Sequence, residues 1–370
     1  MAYESLSVPE VQAAVQQASA GWQAAVTSVS ELSAEEKRLR LGYVPGPNEP
    51  SLVERERLSV SKLQSAGALT AIGAPVAFDL RNVGGQNFIT PVKDQGGCGS
   101  CVAFGVAATA EGTLRFQRND PGLAIDYSEA QLFYCHARSQ GRTCFGPVTG
   151  GWWVPPALDC MKNPGVADEG CYPYTAGDQN CTHLCSDWQS RVKKITAWHE
   201  ISAVAEMKTW LSTKGPVVAC FSVYSDFYAY SSGVYRHVTG GFEGGHCVSC
   251  VGYNDAGGYW ICKNSWGTGW GESGFFRIAY GDCGIDAVMW AVDSVEETGW
   301  LNNRRVLGLW TINEDRNAYV FLDTIGWRKI ATDNDNIFFN LLLELAAAKA
   351  GNRAVNVYQQ QGLIKQVYVF

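Results

Sequence analysis

The chain opens with apolar residues at helical spacing and then loses any pattern of its own. Residues 9–29 repeat apolar side chains at the spacing of a helix, and residues 33–36 form a capping box that predicts a short second helix to Leu41. Three prolines within residues 42–50 require extended backbone. From there to Gly73 the sequence predicts polar coil without a strand. Such a segment cannot form its own core, so it either dangles or lies on another part of the chain.

Two further stretches differ in pattern from this leader and from each other. Residues 75–293 are dense in Gly, Trp, Cys and Tyr, with β-like runs at 215–223 and 247–253 and a strong helix at 100–117. Residues 300–370 read as strand (305–311), strand (318–322, with continuation past Trp327 left open), helix (336–349), strand (354–358) and strand (363–370). The predicted domains are therefore 1–74, 75–293 and a small α+β module at 300–370.

The module carries three tryptophans whose role the pattern leaves open. Trp300, Trp310 and Trp327 fit the core of a four-stranded sheet better than they fit a binding platform. The module contains no recognisable catalytic set, and any partner that it binds is unknown.

Composition excludes several classes of protein. With 46% hydrophobic residues in 370, the chain can bury a large core and is not a disordered polymer. Its net charge of −7 argues against a nucleic-acid partner, and no run of eighteen apolar residues predicts a membrane span. Residues 1–30 lack the basic and apolar regions of a signal peptide. Either the protein is cytosolic, or a targeting signal lies outside this sequence.

The thirteen cysteines all lie between Cys98 and Cys283. An odd number in one stretch predicts several disulfides and at least one thiol that is kept reduced. A zinc site formed by Cys181, His183 and Cys185 is the rival interpretation. We disfavour it because no second pair of Cys or His ligands stands nearby at zinc-site spacing, and we expect neither metal nor cofactor.

Cys101 stands where a glycine-rich loop becomes a helix. At that position the helix dipole favours the thiolate, which is the nucleophilic form of cysteine. His246 begins an apolar strand, and Asn264 follows a second strand. A nucleophilic cysteine needs a base, and the base needs a group that fixes its tautomer. Taken singly, each residue has a structural explanation, as a buried Cys, a core His or a turn Asn. The occurrence of all three in these local sequences favours catalysis.

The sequence motifs around these residues resemble those of one protein family. QGGCGSC at 95–101, GGH at 244–246 and KNSWGTGWGESGFFRI at 263–278 are similar to papain-family (C1) cysteine proteases, and more to cathepsin B-like members than to papain. The resemblance implies an α+β, two-lobed papain-like fold with a helical left lobe and a β-barrel-like right lobe. It also implies site roles: Cys101 as nucleophile, His246 as base and acid, Asn264 as its orienter, Gln95 as oxyanion donor and Trp266 over the His–Asn bond. Val102 departs from the Trp usual in the family and weakens one wall.

The resemblance further implies three disulfides. It pairs Cys98 with Cys144, Cys135 with Cys181, and Cys171 with Cys185, and leaves as thiols Cys101, Cys160, Cys220, Cys247, Cys250, Cys262 and Cys283. A chain with such bonds belongs outside the reducing cytosol. We therefore expect a secreted protein whose signal peptide is absent from this sequence.

Two departures from cathepsin B bear on specificity. The segment between Cys171 and Cys181 has no histidine and is too short for the loop that blocks the primed side of the cleft, so we expect endopeptidase activity. Val288 stands where cathepsin B has an acid at the base of the S2 pocket. The expected substrate-binding residues are Gly150, Gly151, Trp153, Cys220, Gly245, Cys247, Trp266 and Val288. The S2 pocket should therefore favour apolar P2 residues.

Residues 21–24 and 37–42 also resemble a short cathepsin B-type propeptide. It would place residues 41–45 along the cleft in the direction opposite to substrate; a disordered leader is the alternative. The expected function is that of a latent cysteine endopeptidase, with polypeptides as substrates and its own propeptide as inhibitor. A papain-fold binding or adhesion protein and a transpeptidase remain as alternatives.

Overall fold

The computed structural model describes residues 6–65, 73–295, 299–323, 325–360 and 362–370. The chain forms two compact units, Met1–Phe116 with Asp120–Ser294, and Val295–Phe370 with Gln117–Asn119. The first unit contains both the leader and the region with the papain-like motifs. Among the described residues, no helix is long and apolar enough to cross a membrane.

The leader has more secondary structure than its sequence predicts. Its elements are α1 (Val8–Gln17), β1 (Trp22–Ala24), α2 (Ala34–Arg38) and α3 (Leu52–Ser65). The prediction of a helix through residue 29 is wrong, because Ser19 and Gly21 take positive φ angles of 49° and 75° and turn the chain. Trp22–Ala24 then pairs as a strand with residues 230–233.

The capping box at the second helix is confirmed. The Glu36 carboxylate accepts hydrogen bonds from the backbone N–H (2.9 Å) and the hydroxyl (2.7 Å) of Ser33. The helix itself is shorter than predicted and ends at Arg38.

Helix α3 contradicts the predicted coil. Leu52, Arg55, Ser59 and Leu63 recur every three or four residues and so share one face. Arg55 and Ser59 are buried on this face, and Leu63 reaches Gly281 so closely that a Cβ there would lie 2.1 Å from Leu63 Cδ1. This polar helix is therefore fixed by what it packs against and not by an apolar stripe.

The helical lobe is built around α4 (Cys101–Arg118), whose residues from Cys101 to Leu114 are nearly all buried. A π-helix at Gln131–Ala137, α5 (Val154–Lys162) and the short α6 (Trp188–Arg191) follow it. Disulfides join Cys98 to Cys144, Cys135 to Cys181 and Cys171 to Cys185, the pairs that the resemblance implies. Since Cys181 and Cys185 are both disulfide-bonded, the zinc alternative is excluded.

The second lobe is a nine-stranded sheet with helix α7 (Val204–Thr213). Its strands after β1 are β2 (Ala77–Asp79), β3 (Ile195–Ile201), β4 (Val217–Tyr224), β5 (Tyr230–Tyr235), β6 (Phe242–Asn254), β7 (Tyr259–Lys263), β8 (Phe275–Ala279) and β9 (Met289–Val295). The order is β1-β5-β8-β7-β6-β4-β9-β3, and β2 pairs with β6. Strand β6 is buried almost throughout, as expected for a strand with neighbours on both sides.

The second unit is a closed five-stranded barrel with one helix. Its elements are β10 (Gly299–Thr311), β11 (Ala318–Leu322), β12 (Gly326–Ile330), α8 (Asp335–Ala350), β13 (Ala354–Gln360) and β14 (Leu363–Val369), and the barrel order is β10-β11-β12-β14-β13. β12 and β14 are parallel. This topology, with a helix between the third and fourth strands, is that of an OB-fold. The predicted four-stranded sheet is wrong because the segment around Trp327 forms a separate strand, β12.

The tryptophans of this barrel are not core residues, contrary to the favoured interpretation. Trp300, Trp310 and Trp327 remain 46%, 45% and 49% exposed. Aliphatic residues and Phe338 form the core instead, among them Val320, Leu322, Leu345, Val355 and Ile364. Strand register explains this for two of them, since Trp310 pairs with Tyr319 and Trp327 pairs with Phe321. Tyr319 and Phe321 are the outward positions of β11, whose inward positions are Ala318, Val320 and Leu322.

Candidate active site

The three residues with catalytic chemistry lie on three different elements. Cys101 is the first residue of α4, His246 lies within β6, and Asn264 directly follows β7. His246 Nε2 and Asn264 Oδ1 are 2.7 Å apart, and Asn264 Oδ1 also accepts a hydrogen bond from the Ser265 N–H at 2.8 Å. The Cys101 sulfur faces the backbone of Cys247, the residue after His246. Imidazole and amide are thus in direct contact, and the thiol lies against the backbone of the residue that follows the histidine.

One nitrogen of the His246 imidazole is bound and the other is not. His246 Nδ1 is buried and has no hydrogen-bond partner among the described residues, whereas Nε2 is held by Asn264. A buried polar atom without a partner is costly, and at a functional site it marks an atom kept for a reaction. This pairing fixes the ring so that Nδ1 is the nitrogen available for proton transfer.

Trp266 shields the histidine. Its ring centroid lies 4.8 Å from that of His246, and it is buried against Phe227 and Trp270. The indole excludes water from the neighbourhood of the His246–Asn264 bond, which strengthens that bond.

Gln95 is fixed by a residue that the sequence analysis missed. Its Oε1 accepts a hydrogen bond from Ser265 Oγ at 2.7 Å, and its Nε2 donates to the carbonyls of Cys98 (2.8 Å) and Arg40 (3.0 Å). Ser265 follows Asn264 in the same motif, which was the available signal. Arg40 belongs to the leader, so the amide group of Gln95 donates one of its hydrogen bonds to a leader carbonyl.

The leader crosses the cleft as an extended strand that bonds to both lobes. The N–H groups of Gly42 and Tyr43 donate to the Gly245 carbonyl at 3.1 and 3.0 Å. On the other side Trp152 N–H donates to Gly42 C=O at 2.8 Å, and Val44 N–H donates to Trp152 C=O at 3.0 Å. Tyr43 is thereby parallel to Trp152 and antiparallel to Gly245. The predicted path of residues 41–45 agrees with this position.

Glycines make this close approach possible. A Cβ on Gly42 would lie 2.0 Å from the Gly99 carbonyl oxygen, and one on Gly151 would lie 2.2 Å from the Gly42 oxygen. A Cβ on Gly245 would lie 2.3 Å from the Tyr43 oxygen. Gly150 serves its own loop, since its Cβ would meet the Gly146 oxygen at 2.6 Å. The backbone of the cleft is therefore shaped to accept another backbone at contact distance.

The predicted S2 residues lie beside leader side chains. The Arg55 guanidinium stacks on Tyr43 (5.5 Å) and Trp290 (5.3 Å), and its Nη2 donates to the carbonyls of Cys220 and Val288, both at 3.0 Å. Its Nε and Nη1 are buried and have no hydrogen-bond partner among the described residues. Cys247 is the cross-strand partner of Cys220.

Trp153 lies elsewhere along the cleft. Its indole packs so closely on Gly46 that a Cβ there would be 2.6 Å from Trp153 Cδ1, and the Arg142 guanidinium stands 5.3 Å from its ring. Among the predicted substrate-binding residues, the leader contacts Gly151, Trp153, Cys220, Gly245 and Val288. Val102, fully buried in α4, carries no polar atom into the site.

Burial under the leader holds the reactive pair neutral. Loss of contact with water, and next the nearby Cys220 thiol, raise the pKa of the Cys101 thiol to about 12, while backbone hydrogen bonds from Cys247, Gly42 and Val102 oppose the shift. The pKa of His246 is lowered to about 4, chiefly by burial and in part by the charge of Arg40, while the hydrogen bond with Asn264 opposes the shift. The expected effect of the helix dipole on Cys101 is therefore outweighed by desolvation in this state.

Residues 74–292 match the family described as papain family cysteine protease. The chain belongs to this family. It is 36% identical over 249 residues to the cathepsin B-like CP3 of Giardia intestinalis, covering 64% of this chain and 79% of that relative. Procathepsin L2 proteinase from the Tenebrio molitor larval midgut aligns with a TM-score of 0.59 at 28% identity, over 77% of this chain and 88% of that structure. ProCathepsin B S9 from Trypanosoma congolense shares the fold, with a TM-score of 0.59 and 24% identity over 78% of this chain and 98% of that one. This protein is a cysteine peptidase, and its structural neighbours include proenzymes.

The first prediction concerns the charge of His246 in the covered state, in which the leader lies across the cleft. Its lowered pKa means that the covered state binds no proton there between pH 6.5 and about 4, whereas a hydrated imidazole does. The stabilisation of the covered state is complete above pH 6.5 and is lost as the pH falls toward 4. Histidine NMR of full-length Cys101→Ala should show His246 neutral at pH 6, and Arg40→Gln should raise its pKa. Protonation of His246 in the covered chain at pH 6 or above would contradict this account.

Proposed function

We propose that this protease is a secreted endopeptidase that cleaves peptide bonds with a Cys101–His246–Asn264 triad and is made as a latent proenzyme. The observation that carries the proposal is the buried His246–Asn264 bond, which leaves Nδ1 without a hydrogen-bond partner among the described residues. Cys101, at the start of α4, lies against the backbone of Cys247, the residue after His246. Thiol, base and orienter in this relation are the arrangement that activates a nucleophilic cysteine.

Each residue then has a defined step. His246 takes the proton of the Cys101 thiol, and the thiolate attacks the scissile carbonyl to form a tetrahedral oxyanion. Gln95 Nε2 and the backbone N–H of Cys101 donate hydrogen bonds to that oxyanion. As the C–N bond breaks, His246 gives its proton to the leaving amine, and a thioester with Cys101 remains. His246 next removes a proton from water, and hydrolysis of the thioester restores the thiol.

The triad is tested by substitution. Cys101→Ala should abolish peptide hydrolysis without loss of fold, and His246→Ala should be nearly as severe. Asn264→Ala should retain part of the activity, because Asn264 orients the base and does not itself carry the proton. The matched control is Cys160→Ala, which removes another thiol outside the site. Turnover of Cys101→Ala within about tenfold of wild type on a fluorogenic peptide would refute the assignment.

The leader is proposed to be the inhibitor that keeps the chain latent. Its backbone at Gly42 lies against Cys101, and its Arg40 carbonyl accepts a hydrogen bond from the Gln95 side chain. Two ion pairs bind it to the peptidase, Arg38–Glu243 and Arg40–Asp94, each at 2.7 Å. The resemblance implies that its chain direction is opposite to that of substrate, which protects it from cleavage.

Latency leads to the next prediction. Acidification should release the leader and allow self-cleavage near residues 70–76, of which 70–72 lie outside the described residues. The capping hydrogen bonds from Ser33 lower the pKa of Glu36, so this contribution to the leader holds above the usual carboxyl range and is lost as the pH falls through the lowered value. Mass spectrometry of Cys101→Ala mixed with active enzyme locates the cut. Equal activity of the full-length and trimmed chains at neutral pH would show that the leader does not inhibit.

The proposed P2 preference is for large apolar or aromatic residues. Tyr43 of the leader is only 2% exposed and lies beside Gly245 and Cys220, two of the predicted substrate-binding residues. The position that carries an acid in cathepsin B is Val288 here, so it adds no negative charge. The Arg55 guanidinium, which lies there, donates to two carbonyls and leaves two nitrogens without a hydrogen-bond partner among the described residues. A substrate arginine would meet the same shortage of acceptors.

Substrates with Leu, Phe or Tyr at P2 should therefore exceed those with Arg in kcat/KM by about tenfold or more. Val288→Glu should shift the preference toward Arg, whereas Val288→Ala, which adds no charge, should not. Comparable kcat/KM for Arg and Leu in the unaltered enzyme would refute the pocket interpretation.

Endopeptidase activity rests on the short segment 172–180, which has no histidine to capture a terminal carboxylate. A long peptide should be cut internally, and stepwise release of C-terminal dipeptides would refute an open primed side. The three disulfides indicate an oxidising compartment, and secretion is the specific location that we propose.

A further inference from the structure

Aromatic side chains cover one outer face of the C-terminal barrel. Trp310 on β10 pairs across the strands with Tyr319 on β11, and their rings are 5.3 Å apart. Phe321 on β11 pairs with Trp327 on β12 at 5.2 Å. The face of the second and third strands is where barrels of this topology bind oligonucleotides and oligosaccharides. Four rings on such a face need an explanation, since none of them is required by the core.

One of these rings is held in place by a glycine. A Cβ on Gly308 would lie 3.2 Å from Trp327 Cη2 and 3.2 Å from Phe321 Cβ. Trp327 therefore extends from β12 over Phe321 to reach β10 at the residue that lacks a side chain. The indole is positioned by packing although half of its surface remains exposed, so little conformational entropy is lost when a ligand covers it.

The exposed rings enclose a cleft. Trp310, Tyr319 and Trp327 line an open space of about 480 Å³, which is within the usual range for small-ligand sites. Its walls offer flat apolar faces, and the indole N–H and phenol O–H groups offer polar edges. A ligand that fits must itself combine flat apolar faces with hydrogen-bonding edges.

We propose that this aromatic cleft binds a neutral oligosaccharide. A pyranose ring has a flat face of C–H bonds that packs on an indole and a rim of hydroxyls that form hydrogen bonds. Residues 295–370 contain eight basic and eight acidic side chains, so the module offers no net charge to an ionic ligand. The binding of this class rests on the barrel alone and not on the proposed peptidase mechanism.

The distribution of the basic groups argues against single-stranded nucleic acid, the other ligand with stackable rings. Such proteins track the phosphates with a positively charged groove. Here Arg316 is paired with Asp335 at 2.7 Å and Lys365 with Asp333 at 2.8 Å. Arg328 donates to Gln359 at 3.0 Å. Lys329 lies 5.9 Å from the Tyr319 ring, which places a single positive charge beside the cleft and not a groove of them.

The test uses the full-length chain with Cys101→Ala, which prevents self-digestion. Calorimetric titration with cello-, chito-, manno- and xylohexaose, with dT15 and with neutral phosphatidylcholine vesicles compares the ligand classes. At least one hexasaccharide should bind saturably, and Trp310→Ala and Trp327→Ala should each weaken it about tenfold or more. The matched control is Trp300→Ala, which removes an equally exposed tryptophan that packs on Tyr358 elsewhere on the barrel.

Circular dichroism of each variant separates lost binding from lost fold, and Trp310→Ala keeps the test decisive should Trp327→Ala unfold. Binding of dT15 or vesicles with no hexasaccharide bound would overturn the proposal. So would a Trp300→Ala variant that loses as much affinity as the two cleft variants. Cleavage of a fluorogenic peptide by the same three tryptophan variants with Cys101 intact should be unchanged, so failure here leaves the peptidase mechanism unaffected.

Discussion

The close backbone contact of Gly42 with Gly99 and Gly151 in the cleft is the constraint on which the arrangement of the leader depends. Gly42 lies so close to Gly99 and Gly151 that neither the leader nor the walls could carry a side chain there. This closeness lets one extended strand bond to Trp152 on one lobe and Gly245 on the other. It also brings a leader carbonyl to Gln95 and the Gly42 backbone to Cys101.

Exclusion of water follows from that contact and determines the protonation of the site. Since Cys101 and His246 are both removed from solvent, the neutral thiol and the neutral imidazole are favoured over the ion pair. The proposed latency of the covered state then has two causes, because the leader fills the cleft and because the Cys101 thiol stays protonated. Proton uptake by His246 on opening makes the two states respond differently to acid.

The sequence predicts local features of this structure well where the signal is local. The Ser33 capping box, helix α4 and four of the five strands of the tail follow from spacing and propensity, and the disulfides follow from family resemblance. Helix α3 could not be predicted in this way, because its buried face carries Arg55 and Ser59, and their burial depends on Trp290, Cys220 and Val288 far along the chain.

The barrel also has features that could not be predicted from the sequence. The sequence pattern favours its tryptophans as core residues, but Trp310 and Trp327 pair across the strands with Tyr319 and Phe321, the outward positions of β11. Closure of the barrel depends on the parallel pairing of β12 and β14, which are separated by a helix and a further strand. In the site, Ser265 and Arg40 likewise act through contacts that only the folded chain defines.

The most direct test of the account is inhibition of the trimmed enzyme by a synthetic peptide of residues 33–65. The unaltered peptide should inhibit, and the Gly42→Ala peptide should have an inhibition constant about a hundredfold or more higher, because its Cβ would fall 2.0 Å from the Gly99 oxygen. Val44→Ala, which alters a partly exposed side chain of the same strand, is the matched control and should change little. Equal inhibition by the Gly42→Ala and unaltered peptides would contradict the central claim that backbone contact at Gly42 closes the cleft.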